Sequence, residues 1–173
     1  MGESESKTAI CDAGPIIHLD ELNALELLSD FNPIIIPKTV QIEIIRHRAR
    51  ALQHPEIVLD IIDIIHPLEE RLLVLSKALS IDKGEIEALS LMQKDTEAIF
   101  LTDDASARLV GEELGYKVHG TIGIILRSVR KRMRTPEEVV ELLEAIPQKT
   151  TLFLRATLLR EVIQKVKNEY RLR

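Results

Sequence analysis

Through residue 132 the chain alternates short apolar runs with stretches of helical period. That alternation predicts a parallel sheet with helices on both faces. Residues 7–11 read as a buried strand. Gly14-Pro15 opens a helical stretch to about Leu28, with Ile16, Leu19, Leu22 and Leu25 at helical spacing. Pro33-Ile34-Ile35-Ile36-Pro37 is a strand bounded by prolines, and Pro37 suits the first turn of a helix over 38–50. Residues 57–65, rich in Ile and Val, are a further strand candidate. Helices over 67–79 and 83–95 follow, then a strand at 98–102, a helix at 104–114 ending at Gly115, and a short strand at 116–119. Helices over about 121–132, 136–145 and 151–170 complete the chain. The last of these draws its apolar side from Leu152, Leu154, Leu158, Leu159, Val162 and Val166. The expected architecture is an α/β/α sandwich around a central, mostly parallel sheet. One domain is expected over 7–135, with a helical extension over 136–173 packed on it.

Composition narrows the function classes. With 173 residues, 45% hydrophobic and 29% charged, the chain can bury a real core and is not disordered. The net charge of -5 excludes a wholly basic nucleic-acid binder but leaves a local basic patch open. Aromatics at 3%, with no Trp, argue against recognition by base-stacking platforms. Cys11 is the only cysteine, so no internal disulfide forms and a reducing, cytoplasmic location is expected. Its mid-strand place fits a buried, inert thiol better than a nucleophile. No basic region followed by an apolar run opens the N-terminus, so no signal peptide is expected. No apolar stretch reaches the roughly 18 residues of a membrane helix. Met1-Gly2-Glu3-Ser4-Glu5-Ser6 matches only the short, unspecific myristoylation pattern.

Five acids sit at the ends or starts of these elements: Asp12, Glu43, Glu85, Asp103 and Asp104. Acids that follow strands of a parallel sheet meet at its carboxyl edge, where such folds bind ligands. Gathered carboxylates repel one another, and a divalent cation is the usual remedy. Each acid also has an ordinary reading. Asp12 suits a helix cap before Gly14. Glu43 can be placed by rotation about the helix axis: with Val40 at zero, Ile44 lies near 40° and Glu43 near 300°. It therefore borders the packing face, where it can reach a cleft or pair with Arg46 or His47. Asp82-Lys83-Gly84-Glu85 has the spacing of a capping box, yet a first-turn carboxylate can cap and still face outward. Glu87, about 200° away, cannot share a site with Glu85. Of Asp103 and Asp104, one caps the following helix and Asp104 is the expected closer ligand. Oxygen ligands suit Mg2+ or Mn2+ rather than Zn2+, and the five histidines have no zinc-like spacing.

These pieces resemble PIN-domain ribonucleases, in particular the prokaryotic (VapC-like) branch often paired with antitoxins. The matching residues are Ile10-Cys11-Asp12-Ala13-Gly14-Pro15, then Ile36-Pro37 leading to Glu43, then Gly84-Glu85-Ile86-Glu87-Ala88. Thr102-Asp103-Asp104-Ala105 and Gly120-Thr121-Ile122-Gly123 follow, so the resemblance runs in order over about 7–132. It implies a flavodoxin-like sandwich and a metal-dependent endoribonuclease. It also implies a Mg2+ or Mn2+ site at Asp12, Glu43, Glu85 and Asp104, with Asp103 available, an RNA substrate, a homodimer and a small antitoxin partner. Two departures stand out: the third acid is often Asp in the wider family, and the helical tail is long.

RNA must reach an acidic cleft against repulsion, so basic residues should flank it. Arg46, Arg48 and Arg50 follow Glu43 closely, and Arg127, Arg130, Lys131, Arg132 and Arg134 form a second cluster without acids. Positions 127, 130, 131 and 134 share one helical face, which makes either a phosphate-binding stripe or a solvated surface. The tail serves packing, a dimer seam or an antitoxin groove. Two rivals remain: a PIN-fold RNA- or protein-binding module without catalysis, and a phospho-acceptor receiver domain. Receivers place their acidic pair after the first strand, whereas here the pair comes late, at Asp103-Asp104.

Overall fold

A computed structural model describes residues 7–63 and 69–172. Five strands, β1 (Lys7–Cys11), β2 (Phe31–Pro37), β3 (Leu59–Ile62), β4 (Ile99–Leu101) and β5 (Lys117–His119), form one sheet. Every pairing is parallel and the order is β3-β2-β1-β4-β5. The α/β/α sandwich is the expected one. The strand order is 3-2-1-4-5, not the 2-1-3-4-5 of flavodoxin. The chain moves outward from β1 through β2 to β3, then returns to place β4 on β1's other side. The reversal puts the crevice of a doubly wound sheet between the carboxyl ends of β1 and β4.

Among the described residues eight α-helices surround the sheet: α1 (Ala13–Glu21), α2 (Lys38–Arg48), α3 (Glu70–Ala78), α4 (Lys83–Met92), α5 (Ala105–Glu113), α6 (Thr121–Arg130), α7 (Pro136–Lys149) and α8 (Ala156–Tyr170). The two-residue period of the strands sorts side chains between two cores. Ala9, Cys11, Ile34, Ile36, Ile99 and Leu101 point to the core shared with α1, α6, α7 and α8. Ile10 and Phe100 point to the other, built from α3, α4 and α5 around Leu72, Leu89 and Val110. Val139, Leu143, Ile146 and Leu159 join the first core, so α7 and α8 bury their apolar stripes against α1 and α6.

Three expectations differ in detail. The helix expected over 14–28 stops at Glu21; Asn23 adopts a left-handed backbone (φ 52) and a short 3-10 helix, Leu25–Asp30, follows. Evenly spaced leucines hid this break, since a buried stripe continues through either helix type. The helix expected over 136–145 runs on to Lys149 despite Pro147. The helix expected over 151–170 starts only at Ala156, and residues 150–155 run without helix or strand. The beginning of the helix expected over 67–79, the end of the strand expected over 57–65 and the myristoylation pattern at 1–6 lie outside the described residues. No helix among the described residues is long and apolar enough to cross a membrane.

Candidate active site

Asp12 is the first residue after β1. Its N–H continues the ladder by donating to the Leu101 carbonyl at 2.9 Å, which holds it beside the end of β4. The side chain makes no capping bond to α1. It is 6% exposed, and Oδ2 accepts the Thr102 hydroxyl at 3.3 Å. Thr102 Oγ1 in turn accepts the Asp104 N–H at 3.1 Å. One fully buried hydroxyl thus links the two strand-end acids. The sequence reading passed over Thr102 as a mere strand terminus.

Asp103 and Asp104 diverge, as extended backbone requires. Asp104 caps α5, with Oδ1 accepting the Ala107 N–H at 2.7 Å. Asp103 turns the other way and caps α6. Oδ1 accepts the Thr121 N–H at 2.7 Å, and Oδ2 accepts the Thr121 hydroxyl at 2.6 Å and His18 Nδ1 at 2.8 Å. A carboxylate only accepts, so His18 carries its proton on Nδ1. Gly120 makes this approach sterically available: a Cβ there would stand 2.6 Å from Asp103 Oδ1 and 2.8 Å from Arg108 Nη2.

The other two acids come from helices. Glu43 sits on the exposed side of α2 next to buried Val40 and Ile44. The first turn of α4 packs here: a Cβ on Gly84 would lie 3.4 Å from Val40 Cγ2 and 3.9 Å from Glu43 Oε2, at ordinary contact distance. Glu85 follows at once. Its Oε2 accepts the Asp82 N–H at 2.8 Å, so it caps α4 and also lines the cleft. Glu87 points elsewhere, to the Thr39 hydroxyl and, at 3.6 Å, to Lys83.

All five acids line one cleft of about 560 Å3. Burial, with repulsion added to it, shifts the protonation of Asp12 and Glu85. Asp12 is pushed up to about 7, first by burial and then by Glu43 and Asp103, against the Ala13 amide and the Thr102 hydroxyl. Glu85 is also pushed up to about 7, by burial and then by Asp12, with Asp104 adding to it. Burial keeps the Cys11 thiol protonated, which fits an inert core residue.

The basic residues divide. Arg48 lines the cleft, as does His47, which sequence reasoning did not single out. Arg48 also leans on Asp20 (3.6 Å) and Glu21 (3.8 Å), and Arg50 on Asp20 (3.1 Å). Arg46 is exposed on the same helix. Arg127, Arg130, Lys131 and Arg134 do not line the cleft. Arg127 and Lys131 both pair with Asp30, and Arg134 pairs with Glu26, all against the 3-10 helix. The cleft wall is completed by the segment after α7, at Thr151, Leu152 and Phe153.

A family model described as a PIN domain matches residues 8–168. The chain belongs to the PIN-domain family. No curated protein and no solved structure matches it. PIN domains are generally nucleases and typically use divalent metals. Among the described residues of this PIN domain, no three His, Cys, Asp or Glu side chains gather tightly enough to cage an ion. Part of the reason is that Glu85, Asp103 and Asp104 each give an oxygen to a backbone N–H. Mg2+ does not need a full cage: it keeps several waters and takes one or two carboxylates with substrate phosphate. A cleft with carboxylate oxygens from Asp12, Glu43, Glu85 and Asp104, in which buried Asp12 meets no counter-charge among the described residues but only the Ala13 amide and the Thr102 hydroxyl, fits such an ion.

Proposed function

We propose that this protein is a metal-dependent endoribonuclease that hydrolyses RNA phosphodiester bonds at the carboxylate cleft, as the toxin of a toxin–antitoxin pair in the cytoplasm. The observation carrying this reading is the convergence of Asp12, Glu43, Glu85 and Asp104, from four separate stretches of chain, on the crevice between β1 and β4. Asp12 and Glu85, pushed up by burial first and by neighbouring carboxylates after it, form a charge arrangement that lowers its energy when a hard cation arrives.

Asp12 and Asp104 hold Mg2+ or Mn2+ directly, while Glu43 and Glu85 act through waters and orient the attacking one. The ion, when bound, supplies a water of lowered pKa and neutralises charge developing on phosphate. Thr102 fixes the rotamer of Asp12 and ties it to the Asp104 backbone. Asp103, saturated by Thr121 and His18, supports the wall by locking α6 and α1 together. Arg46 and Arg48 offer positive charge to phosphates flanking the cut, with Arg50 behind them. Arg127, Lys131 and Arg134 serve the fold first, because each already pairs with Asp30 or Glu26. Residues 7–135 carry the catalytic domain, and 136–173 brace it.

A homodimer has apolar surface available at the β3 edge. Ile42 and Ile45 on α2, with Val58, Ile61 and Ile62, are 37–62% exposed. An exposed edge strand with such side chains invites pairing.

The decisive experiment is cleavage of single-stranded RNA by the wild type, Asp12→Asn and Asp104→Asn, with Mg2+, Mn2+ or EDTA. Loss of cleavage in both variants and in EDTA is expected. Undiminished cleavage by a clean preparation of either variant overturns the assignment. A catalytically silent binding module predicts instead that calorimetry detects no Mg2+ or Mn2+ binding.

A further inference from the structure

The cleft does not end at the carboxylates. Beyond the carboxyl end of β5 a second cavity of about 320 Å3 adjoins it, and the two share Asp103, Leu152 and Phe153. That volume lies at the lower end of the roughly 300–1,000 Å3 typical of small-ligand pockets. One side is apolar, along Ile122, Leu158 and Val162; the other carries Arg108 and His119.

Phe153 stands at the junction. The other two phenylalanines, Phe31 and Phe100, are 2% and 0% exposed, but Phe153 is 90% exposed. Its backbone is nevertheless tied down. The Thr151 N–H donates to Glu21 Oε2 at 2.8 Å, its hydroxyl reaches the same atom at 3.2 Å, and the Leu152 N–H donates to Thr150 Oγ1 at 3.2 Å. Leu152 and Leu154 are half-buried on either side, so alternation turns Phe153 outward. A large ring held in water by an anchored backbone forgoes the burial that Phe31 and Phe100 have. A flat apolar partner would recover it.

The polar wall suits the edge of such a partner. Arg108 is braced by the Thr102 carbonyl at 3.4 Å and Glu112 at 3.6 Å. Burial, then Arg127, Arg108 and Arg130, lower the pKa of His119, leaving it neutral at pH 7 with one donor and one acceptor nitrogen. A flat ring, a hydrogen-bonding edge and a phosphate site next door describe a nucleotide. A base in a duplex has no free face, so the strand is single.

We propose that the second cavity is the base subsite of the enzyme: a nucleobase of single-stranded RNA stacks on Phe153, its edge towards His119 and Arg108, while its phosphate lies at the carboxylates. This rests on the ribonuclease reading and names the substrate form that the site selects. The low aromatic content does not preclude stacking, because one ring suffices when it stands at the cleft.

The chain contains no Trp, so Phe153→Trp installs a single fluorescent reporter at an exposed position that folding does not depend on. In an Asp12→Asn background with Mg2+, single-stranded RNA should quench its emission, and an abasic oligomer of the same length and charge should not. In the otherwise wild-type enzyme, Phe153→Ala should lower kcat/KM on single-stranded RNA about 10- to 100-fold, and Phe153→Trp should retain activity. His119→Ala should flatten base preference next to the cut. Equal quenching by the abasic oligomer, or unchanged kcat/KM in Phe153→Ala, overturns the subsite while leaving the nuclease reading intact. Absence of cleavage by the wild type sinks the nuclease reading itself. If RNA leaves the reporter unchanged but an apolar peptide quenches it, the ring is a protein-docking site and the proposal fails.

Discussion

The molecule holds two clusters of like charge, and the chain treats them differently. On α6 and just beyond it, Arg127, Lys131 and Arg134 meet Asp30 and Glu26, and the Arg127 guanidinium also lies 5.3 Å from the Phe31 ring centroid. Most of this positive charge is answered within the fold, two carboxylates meeting three cations. In the cleft, Asp12, Glu43, Glu85 and Asp104 are brought together, and the one arginine of the lining among the described residues, Arg48, leans away on Asp20 and Glu21. Arranged charge that the fold neutralises serves architecture. Arranged charge that it leaves standing, at the cost of raised pKa values on Asp12 and Glu85, is held for something that arrives later.

The largest effects should come from Asp12. Asp12→Asn should lower RNA cleavage more than about 100-fold, beyond what losing a group that merely orients a ligand costs. It should also make the metal-free protein more stable. The folded-state pKa of Asp12 is raised to about 7 from an ordinary 3.8. Below about pH 4 both folded and unfolded states hold the proton. Between the two values the unfolded chain releases it and the folded chain does not, so stability falls as pH rises. Above about 7 the whole penalty is present, on the order of 2–4 kcal/mol. In EDTA the wild type should therefore melt lower at pH 8 than at pH 5, and Asp12→Asn should flatten that slope. Adding Mg2+ at pH 8 should raise the wild-type midpoint clearly more than the variant's, which keeps Asp104 as a ligand. An unchanged wild-type midpoint across that pH range would remove the charge contrast.

Much of this was open to reading before any coordinates. Apolar runs ending in Asp12 and in Asp103-Asp104 fix both strand ends, and parallel strands put those ends on one edge. Rotation about α2 placed Glu43 at the margin of its packing face, where it sits. What stayed hidden depends on direction and distance. Nothing in Thr102-Asp103-Asp104 says that Asp103 turns to Thr121 and His18, because those partners are 18 and 85 residues away. The stripe at 127, 130, 131 and 134 was drawn on one helical face, but α6 ends at Arg130 and Arg132 turns left-handed (φ 57), so Arg134 lies beyond the helix; the acids that meet the stripe sit in a 3-10 segment read as ordinary helix. Leu152-Phe153-Leu154 looked like the start of an apolar helix; the alternation after Thr150-Thr151, typical of extended chain, was the signal that would have turned Phe153 outward.

Asp103→Asn tests the contrast from inside the cleft. Unlike Asp12, Asp103 gives its oxygens to three protein donors. An amide NH2 in place of Oδ2 cannot accept from the Thr121 hydroxyl or from His18, so about 2–3 kcal/mol of stability should be lost. The two neighbouring acids should thus respond with opposite sign in metal-free melts. Asp30→Asn should follow at about 1–2 kcal/mol, because it leaves Arg127 and Lys131, each with about a fifth of its side chain exposed, short of a counter-charge. A melt in which Asp103→Asn gains stability as Asp12→Asn does would erase the distinction.

The smallest effect belongs to an ion pair that is neither buried nor gathered. Lys38 Nζ lies 3.2 Å from Asp63 Oδ2, yet the two side chains are 57% and 66% exposed. Water competes for both partners and salt screens them, so Asp63→Asn should change stability by less than about 0.5 kcal/mol, and even that should vanish in high salt. Comparing Asp63→Asn with Asp30→Asn at two ionic strengths separates pairing from burial. If the exposed pair proved as costly to remove as the Asp30 cluster, proximity alone would set the energetics. The contrast drawn between the α6 face and the cleft would then lose its physical basis, since it depends on how much water each charge has lost.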